Sequence, residues 1–266
     1  MTEPLPHLSP EELQRYAWQL DIPGFGPEAQ QRLKASSVLI SRVGGIGGAV
    51  ALSLAAAGVG RVVLAHAGNI ELSDLHRQTL MTTAGLGSSR VLSAHRRLRD
   101  LNPQVAVEVV AENITSENAD RLIPQVDIVV SAAPRFTERL TLNEYALRHG
   151  KPLIDCACYE LQAQILTVVP AQSACLACLY PELPDAWNRR FPILGAVSSM
   201  IGAWGALEVI KLLAPLGKPL TNTLLLLDLG ANEIRRVPLT PRAGCRICRL
   251  GQREGINQFM SQRSVE

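Results

Sequence analysis

Four of the six cysteines fall in two C-x-x-C pairs, Cys175–Cys178 and Cys245–Cys248. That spacing presents two thiolates to one tetrahedral ion, and together the pairs supply the four ligands of a closed zinc site. Four thiolates leave no open position for a substrate, so the implied role is structural: the ion ties the C-terminal part back to the middle of the chain. Redox use of a pair is the alternative, but neither pair obviously opens a helix after a strand. Cys156 and Cys158 share one face of a strand by the two-residue period and read as core residues rather than nucleophiles.

A second chemistry is suggested by residues 38–60. The apolar run Val38-Leu39-Ile40 enters a glycine cluster, Gly44-Gly45-Ile46-Gly47, followed by an alanine-rich helical segment. Such a turn points backbone N–H groups and a helix N-terminus at a phosphate. The first glycine of G-x-G-x-x-G is replaced by Arg42, and that glycine serves the tight turn. Plain βαβ packing and a bound nucleotide both remain open on these residues. At the tip of the next strand, Arg61–Ala65, a dinucleotide fold places an acid against the ribose; here it is His66.

The elements that position these groups follow from periodicity. Ser9-Pro10-Glu11-Glu12 reads as a capped start of one leading helix over residues 9–20. Residues 28–35 form a second helix, residues 88–101 an amphipathic helix with Arg96, Arg97 and Arg99 on its solvated side, and residues 118–123 another. Strands are expected at 105–111 and 126–131. Strands alternating with helices up to residue 150 imply an α/β fold, a mainly parallel sheet with helices on both faces and ligands at the strand carboxyl ends. Beyond Pro152 the runs 153–158 and 162–169 are joined by three residues, which implies antiparallel pairing. Residues 170–195 read as irregular, residues 198–213 as an apolar helix, and 223–229 and 233–238 as strands. The chain thus divides into a nucleotide-binding-like half (1–150), an antiparallel and zinc-bearing half (151–250) and a tail (251–266), within a single domain 1–266.

Composition sets outer bounds. The 266 residues carry a net charge of +2 with both signs interspersed, which argues against a nucleic-acid partner. A hydrophobic content of 47% supports a well-buried core. No cationic apolar leader or membrane-length apolar run stands out, so a cytoplasmic location is expected.

With these features placed, the chain resembles the E1-like family of the MoeB, ThiF and HesA proteins. The resemblance rests on Arg15-Tyr16, Gly44-Gly45-Ile46-Gly47, Ala57-Gly58-Val59-Gly60, Ile70 to Gln78, Leu101-Asn102-Pro103, Cys175 to Pro181, Glu208 to Lys211 and the last cysteine pair. It implies a Rossmann-like sheet in a homodimer with structural zinc that adenylates, with ATP and magnesium, the C-terminal Gly-Gly of a small ubiquitin-like sulfur carrier of the MoaD or ThiS type. It also implies that Arg77 and Gln78 bind phosphate and that Arg90 stands in for a lysine on ATP, with Arg77 and Arg90 as candidate catalytic residues. Arg42, Gly44, Gly45, Gly47 and His66 complete the implied nucleotide set.

Several positions depart from that pattern. Asp74 stands where the resemblance expects asparagine, Gly68 and His66 where it expects acids, and Trp18 where it expects an arginine donated across the dimer. Pro134 replaces the magnesium-binding aspartate, and no cysteine occurs near Asn188, where some relatives carry a thiol. Arg42, Arg77, Arg90 and Arg135 would gather as a cationic cleft, or else pair with nearby acids. An adenylyltransferase with a rearranged site and a catalytically inactive relative that binds a carrier or partner are the two resulting expectations. NAD(P) chemistry is disfavoured by His66.

Overall fold

The computed structural model describes residues 4–182, 191–214 and 216–251; position 188 and the tail beyond 251 lie outside them. The N-terminal segment is a pair of short helices, α1 (Pro10–Arg15) and α2 (Ala17–Leu20), rather than one. Ser9 caps its start as expected, and Glu12 returns a bond to the Ser9 amide to make the cap reciprocal. The break falls at Tyr16 because its ring is buried beneath Gly58, where a Cβ would lie 2.5 Å from the phenol. The Tyr16 hydroxyl accepts a hydrogen bond from Asn102 at 2.8 Å.

Helix α3 (Gly26–Lys34) leads into β1 (Ser37–Ser41), α4 (Gly45–Ala57) and β2 (Arg61–Ala65). Next come α5 (Arg90–Leu101), β3 (Ala106–Val110), α6 (Ser116–Leu122) and β4 (Ile128–Ser131). Arg96, Arg97 and Arg99 of α5 are exposed as expected, but so is Leu92, at 52%. Helix α7 (Phe136–Arg148) then precedes the antiparallel pair β5 (Leu153–Tyr159) and β6 (Gln162–Val168). A short α8 (Leu176–Leu179) interrupts the stretch expected to be irregular. Helix α9 (Gly195–Leu213), β7 (Thr223–Asp228), β8 (Glu233–Pro238) and α10 (Arg246–Leu250) complete the described chain.

The eight strands form one sheet in the order β3-β2-β1-β4-β5-β6-β7-β8, parallel from β3 through β5 and antiparallel from β5 to β8. The order reverses between β1 and β4, which opens a crevice at their carboxyl ends. Helices α4 and α9 pack one face at backbone distance: a Cβ on Gly202 would meet the Ile46 carbonyl at 2.4 Å, and one on Gly205 the Cys156 sulfur at 2.5 Å. The opposite face carries a second apolar cluster that includes Leu142, Leu147 and Leu176. Helix α9, at 19 residues, is long and apolar enough by composition to cross a bilayer, which the sequence reading did not anticipate. Ten of its residues are buried in the protein.

Candidate functional site

At the crevice, β1 ends in Ser41 and the chain turns through Arg42, Val43 and Gly44 into α4. The tight turn survives without its first glycine because Arg42 itself takes the left-handed backbone, φ 65°. For a residue with a Cβ that conformation costs about 1–3 kcal/mol, and such strain persists where surrounding structure enforces it. The enforcing contacts are close ones: a Cβ on Gly47 would lie 1.8 Å from the Arg42 carbonyl. Gly47 is therefore a packing glycine, whereas Gly44 and Gly45 line a cavity of about 650 Å³. Arg42, His66, Arg77, Gln78 and Arg90 line it too.

The arginines do not form an uncompensated cationic cleft. Arg42 donates through Nε and Nη2 to Glu138 Oε2, at 2.8 and 2.6 Å. Arg90 donates through Nε and Nη2 to Asp74 Oδ2, at 3.1 and 2.7 Å, and Arg77 reaches Asp74 Oδ1 at 3.2 Å. Gln78 Nε2 and the Glu71 amide also donate to Asp74, at 2.6 and 3.0 Å. Burial raises the Asp74 carboxyl, but the Glu71 amide and the two guanidiniums outweigh it and hold the group below the usual carboxylate range. Arg135 lies outside the cavity, exposed just before α7, with no side-chain bond or ion pair among the described residues.

Among the described residues three buried polar atoms on cavity-lining side chains have no hydrogen-bond partner: Gln164 Nε2 toward the β6 end, and, at the glycine-turn end, His66 Nδ1 and Gln78 Oε1. His66 and Gln78 are only 7% and 4% exposed, so an unmade hydrogen bond there is costly and a polar ligand would relieve it. His66 is held neutral: burial first, then the charges of Arg42 and Arg90, lower it to about 3. At the end of β4, Ala132, Ala133 and Pro134 line the wall where the resemblance expects a metal-binding acid.

The sequence reading missed other parts of the site. Arg139 lines the cavity and donates through Nε and Nη2 to the fully buried Asp155, at 3.0 and 2.6 Å, with Phe136 and Tyr180 beside its guanidinium. The cavity continues along one sheet face past Gln162, Gln164, Leu226, Asp228, Glu233 and Arg235. Alternation in β6 to β8 was the available signal for that far end, since Gln162 and Gln164 share a face by the two-residue period. Cys156 is core, while Cys158 lines the cavity with its thiol pushed up to about 11 by burial, which suppresses the nucleophilic thiolate.

The other cysteines converge as expected. Cys175 Sγ lies 3.9 Å from the sulfurs of both Cys178 and Cys245, and Cys178 Sγ lies 3.4 Å from that of Cys248. All four sulfurs fall within 4.8 Å of one another, a group able to hold a metal ion. Burial raises the Cys245 thiol, yet amides of Cys248 and Ile247 and the neighbouring thiols bring it down to about 7.

A crevice at the switch point of a mostly parallel sheet, with a thiol cluster tying the last short helix to the middle of the chain, defines a Rossmann-like α/β protein. Within that class the chain belongs to the ThiF family, whose model matches residues 16–247. The heterocyst protein HesA of Trichormus variabilis is 41% identical over 243 residues, covering 91% of each chain. A sulfur carrier protein adenylyltransferase of Thermus thermophilus is 37% identical over 247 residues, covering 90% of this chain and 91% of its own. The E. coli MccB structure with ATP superposes with a TM-score of 0.79 at 25% identity, over 88% of this chain and 74% of that one.

His66 gives the site a pH signature. Its folded pKa, about 3, lies below the ordinary imidazole value of 6.5, so between these values the unfolded chain binds more protons and stability falls as pH falls. Chemical denaturation should show wild type losing on the order of 2 kcal/mol more than His66→Gln between about pH 7.5 and pH 5. Parallel losses in the two proteins would contradict a buried neutral imidazole.

Proposed function

We propose that the protein adenylates the C-terminal carboxylate of a small ubiquitin-like carrier protein ending in Gly-Gly, of the MoaD or ThiS type. The observation that carries this reading is one continuous cavity, from the glycine turn before α4 to the face of β6–β8. Its first end offers backbone amides at a helix N-terminus, suited to phosphate, and its second a sheet face suited to an extended peptide. The relative from Thermus thermophilus is named for that activity on a sulfur carrier, and the MccB structure contains ATP.

In the reaction a carrier carboxylate oxygen bonds to the α-phosphorus, the bond to the β-phosphate oxygen breaks, and pyrophosphate leaves. The Gly44–Gly45 turn would hold the phosphates, and His66 and Gln78 would meet ligand groups with their unpartnered atoms. Arg77 and Arg90 would stabilise the charge that develops on the leaving phosphates to the extent that Asp74 releases them.

A second reading is favoured by Pro134 and by the pairing of Arg42, Arg77 and Arg90 with carboxylates. Under it the cleft binds a carrier tail or a partner without turning over. ATP–pyrophosphate exchange separates the two: exchange stimulated by a carrier with an intact Gly-Gly end supports the enzyme, and none with a panel of such carriers supports the binding role.

Zinc is the metal we assign to the thiol cluster. Four ligands at about 2.3 Å from a tetrahedral ion stand about 3.8 Å apart, close to the sulfur separations here. We further infer a homodimer, because Ala196, Met200, Ala203 and Leu207 form an exposed apolar stripe along α9, the kind of surface a second copy covers. All six cysteines are free, in keeping with the reducing cytoplasm. Native mass spectrometry after chelator-free purification should show a dimer with one zinc per chain. A single chain would contradict the dimer, and metal below about half an equivalent would contradict four-thiolate ligation.

A further inference from the structure

Magnesium, which the resemblance implies, needs oxygen ligands, usually one or two carboxylates together with the substrate phosphates. The carboxylates around the cleft do not offer them. Both Asp74 oxygens are taken, one by Arg77 and Gln78 and the other by Arg90 and the Glu71 amide. Asp155 receives Arg139 and the Ser131 hydroxyl and is fully buried. Glu138 gives one oxygen to Arg42, and its second oxygen, unpartnered, is buried. Asp228 and Glu233 each engage one oxygen, with the Gly230 and Ala231 amides and with Arg235, and they line the β6–β8 end of the cavity rather than the glycine turn where phosphates would bind. The β4 end contributes only Ala132, Ala133 and Pro134 to the cavity wall. These residues do not fit the ion.

We propose that the cleft binds its nucleotide without a divalent cation, with Arg42, anchored by Glu138, supplying at the glycine turn the positive charge that a metal would bring. The proposal rests on the adenylation reading and goes beyond it. Arg42 occupies the left-handed turn position itself, so its side chain leaves the backbone at the base of the loop whose amides face a phosphate. Glu138 engages Nε and Nη2, and Nη1 makes no hydrogen bond among the described residues, on a side chain that lines the cavity. A guanidinium fixed along one edge by a buried carboxylate is pre-organised for phosphate, which it can meet with its remaining donors. The neighbouring unpartnered atoms of His66 and Gln78 point to a polar ligand at the same end of the cavity. Glu138 acts through Arg42 and is a positioning residue.

The test is isothermal titration calorimetry of the full chain with ATP, once in magnesium and once in EDTA. The expected dissociation constants agree to within about threefold, a difference of at most about 0.7 kcal/mol. Arg42→Lys, which keeps the charge and loses the fork, should weaken binding about tenfold in both buffers, with circular dichroism confirming the fold. Binding in magnesium that disappears in EDTA would overturn the proposal and leave the adenylation reading intact. Equal binding by Arg42→Lys and wild type in EDTA would overturn the role of Arg42. Folded wild type that binds ATP in neither buffer would instead overturn the nucleotide reading on which the proposal rests.

Discussion

The cleft is organised around the carboxylate of Asp74. It is buried, it belongs to a short 3-10 turn between β2 and α5, and it collects Arg77, Gln78, Arg90 and the Glu71 amide. A buried carboxylate in a medium of low dielectric must be paired and fully hydrogen-bonded to persist, and two guanidiniums in one cleft need a counter-charge to stay together. One residue satisfies both requirements. It joins the loop after β2 to the start of α5 and sets Gln78 against Gly44, whose Cβ would lie 3.8 Å from the Gln78 amide nitrogen. It also fixes the electrostatics, because each arginine it holds is one less available to an incoming anion. Arg139 with Asp155 repeats the arrangement, whereas Glu138 engages only one edge of Arg42 and leaves its Nη1 without a bond among the described residues.

These pairs sit where the sheet topology demands a ligand. The strand order reverses between β1 and β4, and the glycine turn and the Pro134 segment leave those two strands on the same side. Close packing of α4 on α9, at glycine distances, holds the turn rigidly enough to keep a non-glycine residue left-handed. The fold thus supplies the strain at Arg42, and the ion pair with Glu138 gives the strained residue a fixed direction.

Much of this was legible in the residues. Apolar runs and glycine punctuation located the strands, and the cysteine spacing located the thiol cluster, because both are local signals that tertiary structure rarely overrides. The glycine turn was legible even in its damaged form. What stayed hidden depends on distant partners. Arg42 and Glu138 are 96 residues apart, and spacing cannot distinguish a guanidinium facing a phosphate from one facing a carboxylate. Helix α7 carries no clear sequence signature, because Glu138, Arg139 and Asn143 are buried on it and blur the usual apolar stripe. The break at Tyr16 escaped for a related reason: the ring is drawn in by Gly58 and Asn102, neither of them nearby in sequence.

If Asp74 sets the charge of the cleft, removing its charge while keeping its shape should release Arg77 and Arg90 to an anionic ligand. The most direct measurement is the affinity of Asp74→Asn for ATP by calorimetry, on protein shown to be folded. The account predicts binding about tenfold tighter than wild type, equivalent to about 1.4 kcal/mol. Equal or weaker binding by the folded variant would contradict it, since the arginines would then owe their positions and their charge balance to something other than Asp74.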